Sequence, residues 1–282
     1  MRVMSGGTSG PNGYDDGQGE SFRQGTMKRF RNKKRDRLRE QPFPADWDGI
    51  LRNNFPLYHR LSGADRRELQ GHIHVFLAEK RYEGCNDLEI NDEIRVTIAA
   101  QACLLLLHRE TDYFPEMTSI FVYPTLFYSD VTEADEYGVV SEYEEDRAGE
   151  SWDYGPVVLS WEDALMGASE TEKGYNSVIH EFAHQLDLEN GAPDGVPRLE
   201  KRGQYDTWES AMNDAFDEFE RKLDTGRDTI IDEYGGEGPD EFFAVATEHF
   251  FLTPRELRGE FPRLYEELKT YFRQDPLSWS GD

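Results

Sequence analysis

From residue 44 onward, apolar positions recur every three or four residues: Trp47, Ile50 and Leu51, then Tyr58 and Leu61, then Leu69, Ile73, Phe76 and Leu77 behind Ser62. That period predicts helices with one packed face, and serine is the residue type that caps the free amides at a helix start. Asn91-Asp92-Glu93 opens another predicted helix that continues through Ile94, Ile98, Ala99, Ala102 and Leu105 to about His108. Beyond Ala99 it is apolar nearly all round, so it is expected to run through the middle of the domain. Residues 119–124 and 155–161 are β-rich runs that predict strands. Helical periodicity returns over 205–224, through Trp208, Met212, Phe216 and Phe219, and again from Pro239, through Phe242, Phe243, Ala246 and Phe250. Residues 192–202, with Pro193, Gly195 and Pro197, predict a loop, and the acidic stretch 133–150 an exposed loop or weak hairpin. The sum is an α+β fold, mainly helical with a small sheet.

Charge divides the chain in two. Residues 1–40 hold ten Lys/Arg against five Asp/Glu, and the remainder holds 21 against 52, within a formal net charge of −26. Residues 1–26 are rich in Gly, Ser, Asn, Asp and Gln, a composition that cannot offset the entropy of ordering. A disordered, basic, Gly-rich tail over 1–40 is therefore expected on a domain spanning 41–282. The basic run 28–39 is read as a solvated arm, with its own acidic body or an acidic partner as what it could touch, and a nucleic-acid role as unlikely. The acidic body disfavours nucleic acid and anionic membrane as main partners. Residues 1–26 lack the apolar core of a signal peptide, and the longest apolar run, 102–107, is too short to span a bilayer. Two cysteines, Cys85 and Cys103, are too few for a disulfide framework, and a cytoplasmic protein without a membrane span is expected.

The chemistry sits in residues 178–187, where His180-Glu181-x-x-His184 lies inside a helical pattern. On a helix, residues four apart stand one turn above each other, so His180 and His184 can present two imidazoles to one ion while Glu181 addresses a water. His180, Glu181, His184 and Asp187 share about a third of the helix circumference, and Val178, Ile179, Phe182 and Leu186 cover the opposite side. A catalytic zinc takes three protein ligands and keeps one position open, so a third ligand must come from elsewhere. Glu241, in the first turn of the helix from Pro239, shares a face with the small Ala244; as an acidic residue it could equally serve only the helix N-terminus. Glu248 lies about 10 Å further along the axis, too far to bind the same ion, and is a candidate for supporting a ligand or for replacing Glu241. Tyr234 could present a phenol to the cleft or merely anchor its Gly-rich loop. Asp187 could orient an imidazole or a loop, or be a plain helix-terminal acid.

These stretches together resemble the Mlc titration factor A family of zinc-dependent peptidases, gluzincin-like enzymes similar in fold to the catalytic domain of anthrax lethal factor. The resemblance runs through residues 98–107, 120–124 with Phe127, 155–161, 180–187 with Asn190-Gly191, and 239–248, and covers roughly 45–275 in the family's order. It implies a zincin-like fold whose sheet borders the active-site helix. It further implies that His180, His184 and Glu241 bind Zn2+, that Glu181 is the general base and that Tyr234 stabilises the oxyanion. The implied partner is a peptide or protein substrate, with aminopeptidase and endopeptidase action both open. The family's name-giving member binds a transcriptional repressor, so a repressor-sequestering module is the alternative reading. In such a fold, strand 155–161 is expected to be the peptide-binding edge.

Overall fold

The computed structural model describes residues 29–125 and 155–279; residues 1–28 and the acidic stretch 133–150 lie outside the described residues. The chain enters as a helix over residues 29–39, α1. The basic run within the expected tail is thus a formed helix, and its Arg35 is only 4 % exposed. The Arg35 fork bonds both oxygens of Glu79 at 2.7 and 2.9 Å, also pairs with Asp112, and lies 4.8 Å above the Tyr113 ring. Such bidentate geometry outweighs the cost of burying the guanidinium and holds its pKa above the ordinary value. A chain starting at residue 41 should therefore be less stable than one starting at 29 by about 1–3 kcal/mol, because Glu79 and Asp112 lose their cation. Urea unfolding of the two truncations checks this; equal midpoints would mean that α1 rests on the body without stabilising it.

Helices α2 (Ala45–Asn54), α3 (Leu57–Arg60) and α4 (Gly63–Glu79) follow, the last capped by Ser62, whose hydroxyl accepts from the Asp65 N–H at 3.2 Å. A short strand, β1 (Arg81–Gly84), comes next. Its Arg-Tyr-Glu-Gly sequence carries no apolar run, which is why hydropathy misses it. Helix α5 (Asp92–Leu104) is capped by Asn91 and buries every side chain from Val96 to Leu104, the all-round burial expected of a central helix. Strands β2 (Ser119–Tyr123) and β3 (Val157–Ser160) complete a parallel sheet in the order β1-β2-β3. Ile120 pairs with Val157 and Val122 with Leu159, and these four side chains are buried while their neighbours along each strand are half-exposed. The strand expected to reach Trp161 stops at Ser160, whose hydroxyl accepts from the Asp163 N–H and starts α6 (Trp161–Ser169). Ser-Trp-Glu-Asp is an N-cap pattern, and local capping overrides the β-rich composition.

Helix α7 (Ser177–Asp187) carries the His-Glu-x-x-His segment and touches α5, α6 and β3. Its apolar face seats Phe182 against Phe76 and Phe114, with ring centroids 5.6 and 4.8 Å away. Burying one such side chain contributes roughly 1.5–3 kcal/mol. After the loop 191–201 come α8 (Tyr205–Asp224), α9 (Pro239–Leu252), α10 (Pro254–Glu260) and α11 (Pro262–Phe272); prolines open the last three. Helix α9 lies along α7, and the edge-to-face contacts Phe216–Phe242 and Trp208–Phe243 lock α8 onto it. The architecture is α+β, dominated by helix, with the sheet beside α7.

Candidate metal centre

The two helices meet where α7 presents its polar face and α9 begins. His180 Nε2 and His184 Nε2 lie 3.1 Å apart, and Glu241 Oε2 is 3.1 Å from the first and 3.3 Å from the second. Three donors form a nearly equilateral triangle. Ligands at 2.0–2.1 Å from a tetrahedral ion are separated by about 3.3–3.4 Å, so the triangle has the dimensions of one face of such a shell. Ala244 is fully buried and allows this approach. Glu241 Oε2 is buried and makes no hydrogen bond of acceptable geometry despite the two nearby nitrogens, as expected of lone pairs aimed at a common point rather than at each other. Burial alone would disfavour a charged His180, yet the carboxylates of Glu241 and Glu248 raise its pKa well above the ordinary value. Burial would likewise push the Glu241 carboxyl up, and the imidazoles on either side hold it well below the usual carboxylate range. The pocket demands positive charge, and its two-nitrogen, one-oxygen donor set fits a divalent metal ion.

Another cluster of ligand-type residues, Asp65, Glu68 and His108, is arranged differently. The His108 ring spans the two carboxylates, with Nε2 3.2 Å from Asp65 and Nδ1 3.2 Å from Glu68. Its nitrogens diverge instead of converging with the oxygens.

Glu248 does not join the triangle. Its Oε1 lies 2.9 Å from His180 Nδ1, the nitrogen facing away from Glu241. Asp187 serves the loop: Oδ2 accepts from the Gly195 N–H at 2.9 Å, and burial pushes its carboxyl up to about 6. Gly195 adopts φ +72°, and a Cβ there would fall 2.4 Å from the Pro239 carbonyl oxygen, so only glycine lets this loop lie against the start of α9. Tyr234 sits in the 3-10 turn Glu233–Gly236, with its ring centroid 5.7 Å from that of His180. Buried Gly235 lets that turn fold onto Ile231, whose side chain would lie 2.6 Å from a Cβ there, while Val245 and Phe242 of α9 stand at ordinary contact distance. Glu181, Tyr234, His180 and Glu248 line one cleft with Tyr175, Ser177, Asp232 and Val245. Of the cleft residues, Tyr175, Ser177 and Asp232 carry no spacing that hydropathy or motif would pick out.

The sequence profile of the glucose-regulated metallo-peptidase M90 family matches residues 29–273. The chain belongs to that family. An M90 chain is expected to use a metal, and the convergent donors of α7 and α9 supply a fitting place for it. Among its relatives is an uncharacterized protein of Synechocystis sp., 40 % identical over 242 residues that cover 85 % of this chain and 88 % of the relative. Proteins named Mlc titration factor A from Yersinia pestis and Yersinia pseudotuberculosis are 30 % identical over 237 residues, 83 % of this chain and 86 % of theirs. The M90 match begins within α1, in step with the burial of Arg35.

Proposed function

We propose that this chain is a zinc-dependent peptidase of zincin-like fold that hydrolyses peptide bonds in the cleft between α7 and α9. The observation that carries the reading is the triangle of His180 Nε2, His184 Nε2 and Glu241 Oε2, 3.1–3.3 Å on each side, with the carboxylate oxygen otherwise unpartnered. Those three residues would hold the ion, which when bound supplies Lewis acidity toward water and the scissile carbonyl. Glu181, next to His180 on α7 and lining the cleft, takes a proton from water as its oxygen attacks the carbonyl carbon. The C–N bond then breaks, and Glu181 returns the proton to the leaving amine. Tyr234, across the cleft, donates a hydrogen bond from its phenol to the oxyanion of the tetrahedral intermediate, a contribution of about 2.7–4 kcal/mol in comparable sites.

Substrate backbone would pair along β3, which has no strand partner on its outer side among the described residues. The unpaired thiols of Cys85 and Cys103 suit a reducing, cytoplasmic setting. No helix among the described residues is long and apolar enough to cross a membrane.

A peptide-library digest with and without chelator tests the reading. Cleavage should disappear on chelation and return with about one equivalent of zinc; the cut positions separate aminopeptidase from endopeptidase action, and Val158→Pro should raise KM. Chelator-insensitive cleavage, or none, would sink the proposal. The name shared by the Yersinia relatives supports a second reading, in which the chain sequesters a transcriptional repressor and peptidase activity is secondary.

A further inference from the structure

Behind His180 runs a buried polar chain that crosses three helices. It begins at Gln101 on α5, the polar side chain within the apolar run that follows Ala99. Gln101 Nε2 donates to the backbone carbonyls of Thr97 and Ala164, both at 3.1 Å. Carbonyls only accept, so the amide has one possible orientation, and its Oε1 faces Asn176 Nδ2 at 2.7 Å. That bond orients Asn176 in turn: its Oδ1 accepts from the Ile179 N–H at 2.9 Å and caps α7. The backbone N–H of Asn176 donates to Glu248 Oε2, and Glu248 Oε1 faces His180 Nδ1 at 2.9 Å. Gln101 and Asn176 are fully buried, Glu248 is 2 % and His180 5 % exposed. A Cβ on Gly167 would lie 3.0 Å from the Asn176 Cα, so α6 packs closely over the chain and leaves no space for Asn176 to swing.

We propose that Gln101, Asn176 and Glu248 act as one positioning relay that presets the ring tautomer and rotation of His180, so that a residue of the central helix governs how tightly the centre holds its metal. The role rests on the metallopeptidase reading above. Each link is decided by a partner with a single hydrogen-bonding role, and at the last the Asn176 N–H takes Glu248 Oε2, which leaves Oε1 to accept from the ring. Nδ1 of His180 therefore carries a hydrogen, and Nε2, which faces Glu241 and His184, is the nitrogen left for the ion. A glutamine at 248 could not do this, because one of its two ends would set an N–H against another donor. Loss of Gln101 acts at one remove, by freeing the Asn176 amide and with it the start of α7.

The test uses the full chain carrying Glu248→Gln, Gln101→Met or Asn176→Ser, the last of which keeps an N-cap but cannot reach Gln101. Zinc affinity is measured by competition with a chromophoric chelator. The cobalt-loaded proteins are examined by proton NMR for a solvent-shielded, paramagnetically shifted imidazole N–H, and circular dichroism confirms folding. Glu248→Gln should lose zinc affinity by about ten- to a hundredfold together with the N–H signal, and the other two by about tenfold with faster exchange of that proton. A merely structural role would lower the unfolding midpoint and leave both readouts in place. If Glu248→Gln changes both while Gln101→Met and Asn176→Ser behave as wild type, the relay ends at Glu248 and the assignment of the other two is overturned. If all three folded variants match wild type, the whole relay is overturned. Failure of the wild-type chain to take up zinc or cobalt would remove the metallopeptidase reading itself, and this role with it.

Discussion

Glu181→Gln should keep its zinc and lose its chemistry, with kcat falling by about 10²–10⁴-fold. The expectation follows from where the residue stands. Glu181 is one position, or about 100° of helix, round from His180 and lines the cleft, while the convergent donors are His180, His184 and Glu241. The amide has almost the size of the carboxylate and cannot accept a proton from water, so the fold and the donor triangle survive. Zinc content by metal analysis, steady-state kinetics and the unfolding midpoint are read on the same sample. Full zinc with wild-type turnover would remove Glu181 from the mechanism. The same variant separates the two proposed functions, since a module that only sequesters a repressor would keep its effect in cells when Glu181 is replaced.

Glu241→Ala should lose the metal outright, falling from about one zinc per chain to near none after dialysis, with hydrolysis lost in parallel. Removing one of three protein donors leaves two imidazoles on a single helix, and the oxygen that lies 3.1 and 3.3 Å from them is gone. Zinc retained in full would transfer the ligand role elsewhere. The wild-type chain should also bind zinc more weakly as pH falls. Without metal, the carboxylates of Glu241 and Glu248 raise the His180 pKa well above the ordinary value, so a proton competes for the place of the ion, and affinity should climb as pH rises through neutrality. Chelator competition at several pH values checks the sign; a flat profile would count against His180 as a ligand.

Much of this centre is legible from residue spacing. His180 and His184 stand one turn apart on a helix whose opposite face is apolar, and that arrangement alone commits them to one side. The distance between Glu241 and Glu248 along α9 already separates their roles, and the structure turns them to opposite nitrogens of His180. Asn176 was findable, because an asparagine three residues before Ile179 is a capping signal. Gln101 was not: nothing in a linear sequence says that a lone polar residue in an apolar helix lies against the cap of a helix 75 residues later. Strand β1 and helix α1 were missed for the same reason from opposite sides. Arg-Tyr-Glu-Gly lacks the apolar alternation that marks a strand, and α1 is so basic that composition reads it as solvated. Both owe their places to long-range partners, β2 for the strand and the Glu79–Asp112 pair for the helix.

The clamp on Arg35 also sets an order of events. Its two carboxylate partners stand 44 and 77 residues later in the chain. At 5–20 residues per second, a ribosome delivers Asp112 roughly 4–15 s after Arg35. Helix α1 therefore cannot complete its clamp until α4, β1 and α5 have been synthesised. Its full docking registers that this half of the fold is complete, and a nascent chain stalled just before residue 112 would hold Arg35 by Glu79 alone.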